Sequence, residues 1–292
     1  MTSERRLYHL PGRRFAVERR RQLPQAALAL LLLFGVAAPL LTLAARFRLP
    51  ALQHRLERSW ARLAVRLLGV GLHISGLEHI DPGRAYVVVP LHEGFADALA
   101  LLHLPLDLRF AVRSELEDWH LLGGYLRASR QIVVDPETPV AAYRHLLAAA
   151  PEVFARRESL VVFPQGTILG IESAFSEGAF RLAEICRRPL LPVVLSGAHR
   201  VWEHPFSPRI RFGRSIRMEV LPAIEPREAA GALTELQARM KRKALEASPP
   251  ARHFVPERDG WWDGYRYEID PAFPDLAQRV EKHRAASGRA TA

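Results

Sequence analysis

Cysteine and lysine, two residue types that often take part in metal, redox or catalytic sites, are scarce in this chain of 292 residues. Cysteine occurs once, at Cys186, which excludes an internal disulfide, and no CxxC pair or Cys/His cluster offers a zinc site. Lysine occurs only at Lys241, Lys243 and Lys282, so arginine supplies nearly all of the 41 basic residues. A reducing, cytosol-facing compartment fits this usage, and we expect no metal and no other cofactor.

Several motifs of catalysis and binding are also missing. No G-x-S-x-G elbow occurs, since Ser196–Gly197 lacks the first glycine, and this disfavours a serine hydrolase. Glu93 and His103 lie near His92, but HExxH and similar metal-ligand spacings are absent. The net charge of +10 by itself fits an anionic membrane surface, an acidic carrier protein or nucleic acid equally well. Nucleic acid is the poorer option, because no recognition motif accompanies the arginines.

The positive charge is concentrated before a long apolar run. Residues 1–24 contain seven arginines and two glutamates, whereas residues 25–45 carry no charge. About 20 apolar residues suffice to cross a bilayer, and the preceding arginines would stay on its cytoplasmic side. Pro39 makes a bent or re-entrant helix as plausible as a straight span. A cleaved signal peptide is the main alternative, although Arg46 and Arg48 crowd the position where small residues should mark cleavage.

A second helix is predicted directly after Pro50. One face carries apolar side chains at helical spacing, and another carries arginines: Leu52, Leu56, Trp60, Leu63 and Leu67 on the first, Arg55, Arg58, Arg62 and Arg66 on the second. It is either a surface helix packed on the core or an interfacial helix whose arginines reach lipid phosphates. We therefore predict a basic cytoplasmic segment over residues 1–24 and a membrane-associated helix pair over residues 25–70.

From residue 71 onward, short valine-rich runs alternate with helical stretches. The predicted strands are residues 72–75, 86–90, 109–113, 131–135, 159–163 and 191–195, with a late pair at 210–212 and 215–221. The predicted helices are residues 96–102, 115–128, 140–150, 177–187 and 229–247, with Ser176 as an N-cap. This alternation indicates an α/β domain over residues 71–248, with a largely parallel sheet flanked by helices. Residues 249–292 form an aromatic and charged extension.

His92 follows the predicted strand 86–90, where a sheet of this kind presents loop residues to a ligand. Asp97 comes five residues later, at the start of the next helix. The chain can fold back in this turn so that the Asp97 carboxylate contacts the His92 imidazole. Such a contact would fix the tautomer of the imidazole and raise the basicity of the ring nitrogen that does not face Asp97. From spacing alone, a structural ion pair is the default interpretation.

A second landmark is the segment VVFPQGTILG over residues 161–170, a strand that leads into a turn. Backbone N–H groups near Gly166 could hold a phosphate or a developing oxyanion, or the segment could be an ordinary turn at the end of a strand.

Taken together and in order, these segments resemble the lysophospholipid and glycerol-phosphate acyltransferase family over residues 58–195. His92 and Asp97 match its H-x4-D motif, which implies a general base and its orienting partner. The resemblance also implies substrate-binding positions in a second and a third block: Arg113, Glu115 and Gly123, then Phe163, Pro164, Gln165, Gly166 and Thr167. Leu116 matches the second block as well, and Pro189 and Pro192 match a proline-containing strand.

Three positions depart from the family pattern. Gln165 and Ile168 stand where the third block has Glu and Arg, and Pro136 stands where an Arg often follows the second block. Neutral side chains cannot form a charge-assisted bond to an acceptor phosphate. Other arginines could replace them, and the candidates are Arg113, Arg127, Arg130 and Arg181. Otherwise the acceptor has a different head group or no phosphate beside its hydroxyl.

The resemblance implies an enzyme that moves a fatty acyl group from acyl-CoA or acyl carrier protein to a lipid hydroxyl. Its partners would be the acyl donor and membrane lipids, with no nucleic acid. The cytoplasmic membrane is the expected location, with the catalytic domain facing the cytosol. The altered third block leaves an alternative open, namely an inactive lipid-binding protein of the same fold.

Overall fold

The computed structural model describes residues 8–9, 16–17, 19–118, 120–135, 138–166, 173–202 and 210–247, together with positions 271, 274 and 278. The predictions for the C-terminal extension, Pro136 and Ile168 and for most of residues 1–24 therefore lie outside the described residues.

A seven-stranded sheet forms the centre of the described chain. The strands are β3 (Gly71–Ser75), β4 (Val87–Pro90), β5 (Leu108–Arg113), β6 (Ile132–Val134), β7 (Ser159–Val161), β8 (Leu190–Ser196) and β9 (Ser215–Val220), in the order β3-β9-β8-β4-β7-β5-β6. Strands β8, β4, β7, β5 and β6 run parallel, while β9 is antiparallel to β8 and parallel to β3. A short antiparallel pair, β1 (Tyr8–His9) and β2 (Ala16–Val17), lies apart from this sheet. The predicted α/β class with a largely parallel sheet is confirmed.

The helices are α1 (Leu23–Leu30), α2 (Ala38–Arg46), α3 (Pro50–Leu67), α4 (Asp97–Leu101), α5 (His120–Ser129), α6 (Pro139–Ala155), α7 (Gly178–Ile185), α8 (Pro226–Ala229) and α9 (Leu233–Ala247). A π-helical stretch, Leu31–Ala37, joins α1 to α2, and short 3-10 turns cover Arg20–Gln22, Leu77–His79, Ser114–Asp118, Ala198–Arg200 and Ala230–Ala232.

The two faces of the sheet support separate hydrophobic clusters, because successive side chains of a strand point to opposite faces. In β4, Val88 packs in the cluster with α1 and α3, whereas Val87 and Val89 pack in the cluster with α6, α7 and α9. Burial on both faces explains why the strands are short continuous apolar runs. The carboxyl ends of β4, β5, β6, β7 and β8 consequently meet at one edge, and loops there can share a site.

Residues 20–46 form one helical segment that is long and apolar enough to cross a membrane, with a mean hydropathy of 2.4 over its most apolar window. Only 22% of that window is buried, so the segment is not a core helix. Pro39 lies in the first turn of α2, where a missing N–H is tolerated, directly after the π-helical stretch. Gln25 and Trp60 donate hydrogen bonds to Leu67 O and Leu33 O, which join this segment to α3.

The face that α3 buries differs from its apolar stripe. Leu52 is 44% exposed, and the other members of the stripe are only partly buried. The fully buried positions are instead polar or small: Gln53, His54, Glu57, Ala61 and Ala64. In the first half of α3 the residues that face the core are therefore polar, and polar partners on the core hold them.

Several predicted elements have different bounds, and one predicted cap has a different role. The predicted helix 115–128 divides into a 3-10 turn and α5, and Ile210 makes only an isolated bridge with Trp202. Ser176 does not cap α7, whose N-cap is Glu177 without a side-chain cap bond. The Oγ–H and the backbone N–H of Ser176 instead both donate to Pro164 O, at 2.9 and 2.8 Å. These two hydrogen bonds hold the loop after β7 against the start of α7.

Arginine occupies left-handed positions that normally favour glycine. Arg157 and Arg187 have φ of 60° and 51° directly beyond the C-caps of α6 and α7. Both are exposed, and the hydrogen bonds around them have the Schellman pattern.

Substitution of either arginine by glycine is expected to raise the free energy of unfolding by about 0.5–1 kcal/mol, because glycine relieves the steric cost but gains freedom in the unfolded chain. Thermal unfolding measures the change. Gly69→Ala is the matched control at the same position beyond α3, where φ is 63°, and it should lower stability by a similar amount. Unchanged or lower stability in both glycine variants would contradict the prediction.

Candidate active site

The structure brings His92 and Asp97 into direct contact. Nδ1 of His92 lies 2.7 Å from Oδ2 of Asp97, and the imidazole is 17% exposed while the carboxyl group is fully buried. Because a carboxylate oxygen accepts, Nδ1 donates, and Nε2 is the ring nitrogen with a free lone pair. Within the part of the chain that the structure describes, no protein group hydrogen-bonds Nε2. The geometry therefore leaves a base available for a ligand.

Asp97 is held by three donors on a single oxygen. Besides the imidazole, the backbone N–H groups of Glu93 and Gly94 donate to Oδ2 at 2.8 and 3.1 Å. Burial raises the pKa of the Asp97 carboxyl, and the hydrogen bonds from His92 and Gly94 oppose that rise. Oδ1 has no hydrogen-bond partner among the described groups. The carboxyl group thus shapes the loop after β4 and orients the ring of His92 at the same time.

The loop after β7 forms one wall of the site. The ring of Phe163 stacks on His92 with centroids 3.8 Å apart and an interplanar angle of 23°. Oε1 of Gln165 accepts a hydrogen bond from the His92 backbone N–H at 3.1 Å, and the Gln165 side chain is buried. Gln165 therefore fixes the position of His92. A neutral amide oxygen is sufficient for this contact, so the departure from the family's Glu need not disturb it.

The turn at Gly166 does not present its own N–H to the site. Gly166 has φ of 64°, and its N–H donates to Phe163 O at 3.2 Å. The turn itself therefore uses this donor, and the expectation that backbone N–H groups near Gly166 meet a phosphate or an oxyanion stays a prediction. Pro164 contributes its carbonyl to Ser176, and Thr167 lies outside the described residues.

The second block lies at the same edge, at the carboxyl end of β5. Arg113 ends that strand, and its guanidinium donates to both oxygens of Glu115. The Arg113 guanidinium lowers the pKa of the Glu115 carboxyl, although burial opposes the shift. A Cβ on Gly123 would lie 1.8 Å from Glu117 O. Gly123 therefore permits close packing of α5 on the preceding turn, and its predicted contact with the substrate stays a prediction.

Sequence reasoning missed a second histidine and carboxylate beside this pair. Oε2 of Glu93 accepts hydrogen bonds from Gly197 N–H at 2.5 Å and from His199 Nδ1 at 3.1 Å. His199 follows β8, more than a hundred residues along the chain. The only sequence signal was the position of Glu93 directly after His92. The described residues contain no group of three side chains that could hold a metal ion.

A family model described as Acyltransferase matches residues 71–196, which include β3 to β8 and both landmark loops. Among curated proteins, the 1-acyl-sn-glycerol-3-phosphate acyltransferase of Limnanthes alba is 28% identical over 143 residues, covering 48% of this chain and 50% of that protein. The enzyme of the same name from Bacillus subtilis is 22% identical over 129 residues, covering 44% and 63%. The chain thus spans about half the length of the first of these relatives.

A solved structure has the same fold. The 1-acyl-sn-glycerophosphate (LPA) acyltransferase PlsC from Thermotoga maritima aligns with a TM-score of 0.64 at 16% identity, covering 79% of this chain and 96% of that one. At this identity the likeness establishes the fold alone.

Proposed function

We propose that this protein, whose residues 71–196 match the Acyltransferase family model, transfers a fatty acyl group to a hydroxyl of a lysophospholipid or a closely related lipid. The observation that carries the proposal is the His92–Asp97 pair, whose second ring nitrogen is open to a ligand at the edge where five strands end. Domain family, fold and site geometry support the same class of reaction.

The proposed chemistry is direct transfer with His92 as general base. Nε2 of His92 takes the proton of the acceptor hydroxyl as that oxygen attacks the thioester carbonyl of acyl-CoA or acyl carrier protein. The new ester C–O bond forms and the C–S bond breaks when the tetrahedral intermediate collapses. The protonated imidazole then returns its proton to the leaving thiolate. Asp97 stabilises the imidazolium in between, and no covalent acyl-enzyme is required.

Arg113 is the best placed arginine for an acceptor phosphate. It ends β5 at the edge that carries His92, and its side chain is 26% exposed. Arg130 precedes β6 and lies toward the opposite edge, where it pairs with Glu152. We therefore assign Arg113, with Glu115 holding its guanidinium, to the acceptor head group. A guanidinium suits a phosphate through parallel N–H donors.

Membrane attachment through residues 20–46 completes the proposal. Large apolar side chains of this segment and of the turn after it are exposed, and they are Leu28, Leu31, Val36, Leu40, Leu43, Phe47 and Leu49. Such a surface is favourable in contact with lipid and costly in water. We assign residues 20–46 to the membrane. We place the catalytic domain on the cytosolic side, because the arginine-rich segment precedes the apolar run and the chain then returns to the level of Gln25, which donates to Leu67 O.

The test is acyl transfer by the purified full chain in lipid vesicles. Radiolabelled acyl-CoA and acyl carrier protein are offered with 1-acylglycerol-3-phosphate, with lysophospholipids of other head groups and with monoacylglycerol. We expect a labelled diacyl product from at least one lyso-lipid, with phosphate-bearing acceptors preferred. Saturable lipid binding without transfer to any acceptor would instead identify a lipid-binding protein. Transfer only to monoacylglycerol would refute the role of Arg113.

A further inference from the structure

Each of the four residues between His92 and Asp97 contacts the turn after β8. Glu93 accepts from Gly197 N–H and His199, Gly94 packs on His199, Phe95 stacks edge-on against Trp202 at 4.6 Å, and Ala96 N–H donates to Trp202 O at 3.3 Å. A Cβ on Gly94 would lie 2.9 Å from the backbone N and Cα of His199, so only glycine allows this approach. The loop after β4 and the turn after β8 are therefore packed tightly against each other.

The Glu93–His199 contact repeats the arrangement of the Asp97–His92 contact. In both, a buried carboxylate accepts from Nδ1 of an imidazole and from backbone N–H groups. Glu93 is 8% exposed, and the His199 side chain is 11% exposed. An ionised carboxylate this deeply buried is expensive unless it is paired. His199 and Gly197 supply the donors that make a buried charge tolerable next to His92.

We propose that Glu93 and His199 are positioning residues for His92. Glu93 joins the loop after β4 to the turn after β8, and His199 holds the Glu93 carboxylate through its Nδ1–H. The pair thereby fixes the backbone of the residue that follows the proposed base. The kinetic tests of this inference rest on the proposed function, because they measure kcat and KM for acyl transfer. It places no substrate contact on His199.

Two substitutions of His199 separate positioning from substrate contact. Asparagine places an amide N–H near the position of Nδ1, whereas glutamine places one near Nε2. His199→Asn is expected to keep kcat within about 3-fold of wild type, while His199→Gln and His199→Leu lower it by about 10–100-fold at unchanged KM for the acceptor. The opposite pattern, an active glutamine variant and an asparagine variant with raised acceptor KM, would show a substrate contact through Nε2 and overturn the proposal.

Glu93→Gln supplies the complementary measurement. Its amide oxygen can still accept from Gly197 N–H, but the charge is lost, so kcat should fall by about 10-fold or more with both KM values unchanged. Glu225→Gln is the matched control, because that carboxylate pairs with Arg84 on the exposed surface, and it should leave kcat unchanged. Thermal unfolding confirms that each variant is folded at the assay temperature. Wild-type kcat in folded Glu93→Gln would overturn the proposal.

An NMR signal of His92 tests the positioning role even if the protein transfers no acyl group. The proton between Nδ1 of His92 and Asp97 can be followed by NMR in 15N-histidine-labelled protein. If the wild-type protein transfers no acyl group, the proposed function fails, yet positioning still predicts that this resonance shifts or broadens in Glu93→Gln and His199→Gln but not in His199→Asn. An identical resonance in all of these variants would overturn the inference.

Discussion

Replacement of His92 by alanine is expected to lower kcat for acyl transfer by about 10³-fold, equivalent to about 4 kcal/mol of activation free energy. The variant loses the nitrogen that accepts the hydroxyl proton, while Asp97 keeps its two backbone donors. The loop should therefore keep its shape. Steady-state transfer from a labelled thioester to the best acceptor measures the loss.

Asp97→Asn should lower kcat by about 10²–10³-fold through a different route. The amide oxygen can occupy the place of Oδ2 and accept the same three donors, but it cannot balance the charge of the imidazolium. The amide nitrogen would then occupy the place of Oδ1, where no partner exists among the described groups. A modest loss of stability should accompany the lower rate.

His145→Ala is the matched control, because His145 lies on the exposed face of α6 and outside the proposed site. Its kcat should equal that of the wild type. Transfer at the wild-type rate by both His92→Ala and Asp97→Asn would refute the mechanism. A fall in kcat that is matched by a fall in the folded fraction would do the same.

The strands could be predicted from the sequence because their environment leaves a simple pattern. Strands buried on both faces are uninterrupted apolar runs, and each end of β4 and β8 lies within one residue of the predicted limit. The contact between His92 and Asp97 was predictable as well, since both lie in one short loop. Their catalytic role is a separate inference and depends on the resemblance.

Contacts between distant segments could not be predicted in this way. Glu93 and His199 are 106 residues apart, and His54 and Glu158 are 104 residues apart. Periodicity reports which side chains are apolar, and it gives no sign that His54 and Glu57 lie on the buried face of α3. The partners that make burial of these two groups favourable are supplied by β5, by α5 and by Glu158 directly before β7, and no local pattern encodes them.

Those partners form a buried charge network at the amino edge of the sheet, away from His92. Arg109 binds both oxygens of Glu158 at 2.7 Å, and His54 lies 3.0 Å from Glu158 and 2.8 Å from Glu57. Tyr125 donates to Glu57. All four charged side chains are no more than 4% exposed. Because both ring nitrogens of His54 face carboxylates, the imidazole must be protonated, and the four charges then balance.

Removal of one charge from this network is expected to cost about 3–5 kcal/mol of unfolding free energy, because the partners remain buried without it. Arg109→Met and Glu158→Gln are the informative variants, measured by chemical or thermal unfolding in detergent. The control is Arg84→Met, which breaks the exposed pair with Glu225 and should cost about 0–1 kcal/mol. Equal losses in Arg84→Met and Arg109→Met would contradict the assignment.

The network also predicts the pH dependence of stability. Burial by itself would lower the pKa of His54, but the bonds to Glu158 and Glu57 outweigh it and raise that pKa to about 9. Burial likewise opposes the shift at Glu158, yet Arg109 and His54 lower its pKa to about 2. The His54 contribution is complete below its unfolded pKa of about 6.5 and is lost as the pH rises through 9. The Glu158 contribution is complete above an unfolded pKa of about 4.3 and is lost as the pH falls toward 2.

Stability from these two groups should therefore be greatest between about pH 4.5 and 6.5, with a loss on the order of 3 kcal/mol from His54 by pH 9. Thermal unfolding of wild type and His54→Gln from pH 5 to 9.5 measures that loss. Glutamine does not titrate, so the variant should be less stable at pH 6 and should show a much smaller decline toward pH 9. A decline of equal size in both proteins would assign the alkaline loss to other groups and leave His54 neutral in the folded state. His54 would then contribute a hydrogen bond and no ion pair to the attachment of α3, which the ion pair of Arg58 with Asp107 also supports.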